Sequence, residues 1–213
     1  MTKDIEPKND DSESTRDRIL RVAAEIFAEK GYHGTSVAEI GEAAQIKRGG
    51  LYYHIGSKEE LLYDLSKRHV EEALEDCRKV VEADLHPVEK LRALAHEHLR
   101  ALVRRRAEVT VVLREMNSLT GKRAEQLREL RDQHQDLFRQ VLEEGVQQKV
   151  FRTSDSIAVL GILGMYNWSY IWFDSGSGSM DTGEIADRLT DIIIYGVLEK
   201  GQKGTVAKPR AKH

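Results

Sequence analysis

A chain of 213 residues, 40% hydrophobic and 32% charged, has enough apolar material to bury a core, and its three prolines and 6% aromatics favour helices over strands. Its formal net charge of −3 excludes a uniformly basic nucleic-acid binder, and its single cysteine, Cys77, excludes an internal disulfide and suits a reducing compartment. The most apolar run, 157–173, is interrupted by Asn167 and Ser169 and falls short of a membrane span, while the polar opening residues do not read as a secretory leader; a cytoplasmic protein without a membrane partner is expected.

Positive charge is local. Residues 1–14 hold two lysines against five acids and are expected to be a disordered acidic tail, whereas 47–58 hold Lys47, Arg48 and Lys58 with no acid. A first helix is predicted from a cap at Ser14 or Thr15, with Ile19, Val22, Ala23, Ile26 and Phe27 at helical spacing and Gly31 as its end. Thr35 or Ser36 caps a short second helix carrying Val37, Ile40, Ala43 and Ala44, and after a turn at Gln45 and Ile46 a third runs over 47–54. Ser57 caps a long fourth helix, with Glu60 completing a capping box. Past Pro87, a first-turn proline, Leu91, Leu94, Ala95, Leu99 and Leu102 mark a fifth, followed by a shorter segment over 109–119. A long helix is predicted over 122–148, on the stripe Leu127, Leu130, His134, Leu137, Val141 and Leu142. Two more, 155–173 and 184–198, are separated by a glycine-rich connector, and the basic segment 201–213 is expected to be a disordered tail.

Three helices within some forty residues, the second and third short and tightly joined, describe a helix-turn-helix head. A recognition helix must anchor one face and show small or polar groups on the other. Ile46, Leu51 and Ile55 are spaced to face inward, which leaves Lys47, Arg48, Gly49, Gly50, Tyr52, Tyr53 and His54 outward. Each helical glycine costs roughly 1 kcal/mol against alanine, and close approach of the backbone to a groove floor would be a reason to keep two. Taken alone, a Tyr-Tyr-His run is ordinary packing and a Gly-Gly pair an ordinary loop; it is the full pattern that points to DNA.

The stretch T-S-V-A-E-I-G-E-A-A-Q-I-K-R-G-G-L-Y-Y-H-I-G-S-K-E-E-L-L (35–62), preceded by A-E-I-F-A-E-K-G-Y (24–32), resembles the DNA-binding signature of TetR-family regulators, over residues 15–65. The resemblance implies an all-α fold: a helix-turn-helix DNA-binding domain over 15–57 and a helical ligand-binding and dimerisation domain over 58–200. It implies that Thr35, Ser36, Tyr52 and His54 contact phosphate, that Arg48 and Gly49 face bases, and that Tyr53 faces the DNA backbone. Lys58 matches a phosphate contact that also links the two domains. Three positions depart from the pattern. Gly50 lacks the hydroxyl of the usual Thr or Ser, Lys47 replaces a frequent Ser, and Gln45 replaces a turn glycine, so its backbone must stay in an ordinary region or bear strain.

Beyond the head, the run 157–173 is apolar nearly all round, and Gly161 and Gly164 allow close approach of another helix. The family resemblance implies that the last two helices of each protomer form an isologous homodimer reading a palindromic double-stranded operator; the competing reading is an intrachain core only. Tyr166, Asn167, Trp168, Tyr170 and Trp172 resemble the penultimate-helix pattern of members that answer to acyl-CoA thioesters, and Arg104, Arg105 and Arg106 are candidate partners for CoA phosphates. His134 reads either as a ligand contact or as a hydrogen-bonded core histidine. No His-Glu-x-x-His, cysteine pair, nucleophile elbow or phosphate loop is present, so neither a metal, a cofactor nor catalysis is expected. The leading expectation is a repressor released by a small-molecule effector. Its rivals are an activator or co-repressor, and a helical acyl-binding or catalytic protein with a vestigial head.

Overall fold

The computed structural model describes residues 14–115, 117–173 and 181–196, and of Arg48 the backbone alone. The expected tails, most of the glycine-rich connector and the end of the closing helix lie outside the described residues. Those described form helices α1 (Thr15–Lys30), α2 (Val37–Ala43), α3 (Arg48–Ile55), α4 (Lys58–Glu82), α5 (Pro87–Arg104), α6 (Arg106–Arg114), α7 (Gly121–Gln147), α8 (Ser156–Trp172) and α9 (Thr182–Tyr195), with no strand among them. Among the described residues no helix is long and apolar enough to cross a membrane.

Local chemistry sets most of the boundaries. Ser14 caps α1 by accepting from the Asp17 amide (3.1 Å), and Gly31, at φ +80°, ends it. Ser36 and Glu39 form a reciprocal capping box on α2, which satisfies two otherwise orphaned amides. Ser57 caps α4 through the Glu60 amide (3.0 Å), but the predicted box is only half made. The Glu60 carboxylate turns to Arg123 of α7 (3.3 Å) instead, a partner 63 residues away that no local pattern reveals. Pro87 opens α5 as its first residue. The segment expected from residue 109 begins at Arg106, because the chain bends only at Arg105 (φ −139°, ψ 46°) and then resumes the helix.

α1, α2 and α3 enclose Ile19, Ala23, Phe27, Ile40, Leu51 and Ile55, all essentially inaccessible to solvent, with Leu61 and Leu62 of α4 closing the underside. Burying one such side chain contributes about 1.5–3 kcal/mol. α4 is roughly 37 Å long at 1.5 Å per residue and packs along α7, while α5 lies against α9. α6 is wedged between α1 of the head and the other body helices, so head and body share one continuous core. The buried Lys90 ammonium is held by Glu144 (2.8 Å), joining α5 to α7.

Candidate nucleic-acid interface and ligand cavity

The turn between α2 and α3 is built on two unusual positions. A Cβ on Gly41 would come within 2.9 Å of Leu51 Cδ2 and 3.3 Å of the Ile46 carbonyl oxygen, so only glycine lets the helices cross this closely. Gln45 adopts φ +56°, which settles the choice left by the sequence: its backbone is left-handed and strained, a cost of about 1–2 kcal/mol for a residue with a Cβ. In return the Ile46 amide reaches the Gly41 carbonyl (2.8 Å) and the chain re-enters a helix at once.

α3 holds its inner face as its spacing predicts, with Leu51 and Ile55 buried and Ile46 packed against the core. Lys47 is its N-cap and offers no side-chain acceptor to the first turn. Gly49, Gly50, Tyr52 and Tyr53 are exposed, Tyr53 to 86%. A Cβ on Gly49 would meet nothing within 4 Å and one on Gly50 only Ile46 Cγ2 at 3.4 Å, so interior packing does not demand either glycine. The Arg48 side chain lies outside the described residues. His54 is half-buried, its ring edge-on to Tyr53, and its carbonyl accepts from Arg16 Nη1 (2.7 Å).

Two expected phosphate contacts are turned inward. Thr35 is buried and its hydroxyl donates to the Gly31 carbonyl (2.8 Å), which closes the loop after α1. Lys58 Nζ donates to the carbonyls of Tyr32 (2.9 Å) and Thr35 (2.8 Å) and sits over the Tyr32 ring, 4.5 Å from its centroid. Both side chains satisfy carbonyls of the loop that joins α1 to α2. Ser36 stays at the surface, committed to its cap.

Polar contacts then tie the head to the body. Arg16 also pairs with Asp64 of α4 (2.6 Å), and burial nonetheless pushes the Asp64 carboxyl above its ordinary range. Asp17 pairs with Arg68 (2.7 Å). At the end of α6, Arg114 donates to the Ala28 carbonyl (3.0 Å) and Glu115 accepts from the Tyr32 amide (3.0 Å).

The body encloses a cavity of about 510 Å³ bounded by α4, α5, α6, α7 and α8, within the range of ~300–1,000 Å³ usual for small-molecule sites. Val70, Val109, Val112 and Leu163 supply apolar wall. His69, His98 and His134 meet there from α4, α5 and α7, and Cys77 Sγ lies 3.5 Å from His134 Nε2. Burial, then the neighbouring Arg105 and His134, depress the His69 pKa to about 4; burial alone brings His134 to about 4; burial and the other two histidines bring His98 to about 3, against a contribution from Asn167. Burial likewise pushes the Cys77 thiol up to about 12. At the edge Arg104 pairs with Asp76 (3.7 Å) and Arg105 with Glu72.

Of the residues singled out for ligand binding, Arg104, Arg105, Asn167, Trp168 and Tyr170 line this cavity; Arg106, Tyr166 and Trp172 do not. Tyr166 is fully buried against Phe138, its hydroxyl 3.2 Å from Thr190 Oγ1 and its pKa pushed by burial to about 12; it belongs to the α8–α9 core. Trp172 is half-exposed on the outer side. His69, His98 and Cys77 were missed. Their signal was present: His69 falls four residues from Leu65 and from Ala73, and His98 four from Leu94 and from Leu102, so each sits on an apolar stripe.

A tightly turned three-helix head on a helical body with its own chamber defines a DNA-binding regulator of transcription. The sequence matches the family model of bacterial regulatory proteins of the tetR family over residues 19–65 and that of the tetracyclin repressor-like C-terminal domain over 84–197. The chain therefore belongs to the TetR family. It is 27% identical over 191 residues to the HTH-type transcriptional repressor KstR2 of Mycobacterium tuberculosis, spanning 88% of this chain and 95% of that one. Its fold is similar to the TetR-family regulator PfmR from Thermus thermophilus (TM-score 0.80, 34% identity, 86% of this chain and 100% of that one). It is also similar to AibR, solved in complex with isovaleryl coenzyme A and operator DNA (TM-score 0.78, 28% identity, 85% of this chain and 98% of that one).

Proposed function

We propose that the protein is a cytoplasmic transcriptional repressor that binds a palindromic operator as a homodimer and leaves it when an acyl-CoA thioester fills the cavity. The observation that carries this reading is the position of α6, which lines the cavity through Val109, Val112 and Leu113 and packs on α1 of the head. A ligand that moves α6 or α4 acts on the head through Glu115, Arg114 and Arg16. The two similar proteins support the repressor, acyl-CoA and operator parts of this reading, one called a repressor and the other solved with isovaleryl coenzyme A and operator DNA. The rim arginines suit CoA phosphates, since partly exposed pairs such as Arg104–Asp76 are worth only ~0–1 kcal/mol and exchange partners cheaply.

The homodimer is supported by an unpartnered apolar face. Ile157 and Ile171 are exposed along one side of α8 beside Gly161, which opens onto free space, with Leu160 and Trp168 on the rim this face shares with the cavity, and Ile192 of α9 is exposed as well. Tyr52, Tyr53 and His54, with the cations Lys47 and Arg48, are the phosphate and base contacts of each head, while Gly49 and Gly50 let the backbone approach the bases.

The test is a mobility shift on the palindromic segment beside the protein's own coding sequence, with and without octanoyl-CoA. The expected result is a complex that octanoyl-CoA dissolves, with operator weakening octanoyl-CoA binding by the same factor. No shift at all would favour a helical acyl-binding protein with a vestigial head; a shift indifferent to acyl-CoA would overturn the effector class.

A further inference from the structure

One part of the largely apolar cavity is polar, where an acyl chain alone would ask for hydrocarbon throughout. His69, His98 and His134 come from three different helices and converge on it, and Asn167 of α8 lies beside His98. All three rings are surrounded by protein, yet each retains accessible surface, and that surface faces the cavity. Structural contacts account in part for His98, which lies against the Tyr166 ring and Asn167, and for His134, but not for His69. His134 contacts Cys77 and the Phe138 ring, but among the described residues His69 has no hydrogen-bond partner, and its nitrogens stay open to the cavity.

The charges around the cluster say what kind of group fits it. Glu72 and Asp76 of α4, Glu97 and Arg104 of α5, Arg105 at the bend, and Arg131 and Asp132 of α7 border the cavity, and α8 brings none. Glu72, Asp76 and Glu97 already face Arg105, Arg104 and Arg100. The imidazoles themselves are neutral at physiological pH, because burial and mutual proximity disfavour their charged forms. An ionised group driven among them would lose its hydration beside guanidinia already engaged, Arg105 with Glu72 and Arg104 with Asp76. A neutral oxygen meets complementary atoms: each neutral imidazole offers one N–H donor and one acceptor.

We infer that His69, His98 and His134 form the specificity-determining anchor of the cavity, binding a neutral oxygen-bearing group, a carbonyl or hydroxyl, in the buried part of the effector. The inference rests on the cavity being the effector site, and narrows the effector to one whose enclosed portion is oxygenated. A saturated hydrocarbon chain would leave His69 unpartnered. A carbonyl takes its N–H, and a hydroxyl satisfies both a donor and an acceptor among the three rings.

The full chain is titrated with cyclooctanone and with cyclooctane, two rings of equal size that differ by one oxygen, by calorimetry and by nitrogen-15 spectra of the imidazoles. Cyclooctanone is expected to shift the nitrogen signals of at least one of the three histidines, a readout that needs no variant. In His69→Leu the affinity ratio of ketone to hydrocarbon should fall by about fivefold or more, the loss of one buried hydrogen bond, and His69→Gln should restore it. Imidazole signals unmoved by cyclooctanone up to its solubility limit, or an unchanged ratio in a folded His69→Leu, would overturn the inference. Neither probe carries a thioester, so failure of octanoyl-CoA to release operator would remove the proposed effector class and leave this result readable.

Discussion

Replacing Gly49 by alanine separates what the recognition helix needs for itself from what it needs for DNA. In the free protein the added methyl meets nothing within 4 Å, so no clash opposes it. Alanine is favoured over glycine inside a helix by about 0.5–1 kcal/mol, and near the first turn of α3 the gain lies at the lower end of that range. For a chain of this size that corresponds to roughly a 2 °C rise in melting temperature, readable by calorimetry. The same methyl projects from the outward face between Lys47 and Tyr53, where a close-fitting base edge would have to withdraw. Operator affinity, measured by fluorescence anisotropy, should therefore fall by about tenfold, or ~1.4 kcal/mol, while thermal stability rises. The two readouts move in opposite directions only if the glycine serves the DNA. Unchanged operator affinity would refute the argument that Gly49 is there for backbone approach, and a lower melting temperature would refute the reading of its surroundings as open.

Other perturbations probe separate parts of the molecule. Gln45→Gly relieves the left-handed backbone at φ +56° and should stabilise the head by about 1 kcal/mol in urea denaturation, since glycine carries no penalty there. Tyr166→Phe removes the hydroxyl beside Thr190 and should cost about 1 kcal/mol of stability with ligand affinity unchanged; a large loss of affinity would return Tyr166 to the cavity. His69, His98 and His134 have folded pKa values depressed to about 4, 3 and 4 from an ordinary 6.5, so the unfolded chain binds their protons first. Their contribution is fully present above pH 6.5 and is lost as pH falls from there towards 3, and in acid titrations His69→Leu should flatten that slope between 6.5 and 4. Ile157→Glu, on a side chain 83% exposed, should convert a dimer to a monomer in sedimentation velocity without unfolding it.

The head was legible in the sequence almost residue by residue, because its information is local. Caps at Ser14, Ser36 and Ser57 act on amides three positions away, and Leu51 and Ile55 follow directly from helical spacing. Only where a choice depended on distant partners did the reading stop short. Gln45 had two backbone options until the crossing at Gly41 showed which one was taken. Glu60 answers to α7, and Thr35 and Lys58 turn inward because the carbonyls of the loop joining α1 to α2 need donors more than the surface does.

The body divides the same way. Helix order, the proline start of α5 and the apolar character of α8 follow from composition and period, which each segment carries within itself. Which side of α8 meets the cavity does not, since a helix apolar all round offers no contrast between faces. Tyr166 went to the core and Trp168, two residues on and 64% exposed, to the cavity's edge. The gathering of His69, His98 and His134 belongs to the tertiary structure alone. Each is an isolated polar residue on its own apolar stripe, and only the packing of α4, α5 and α7 against one another makes them a single polar site.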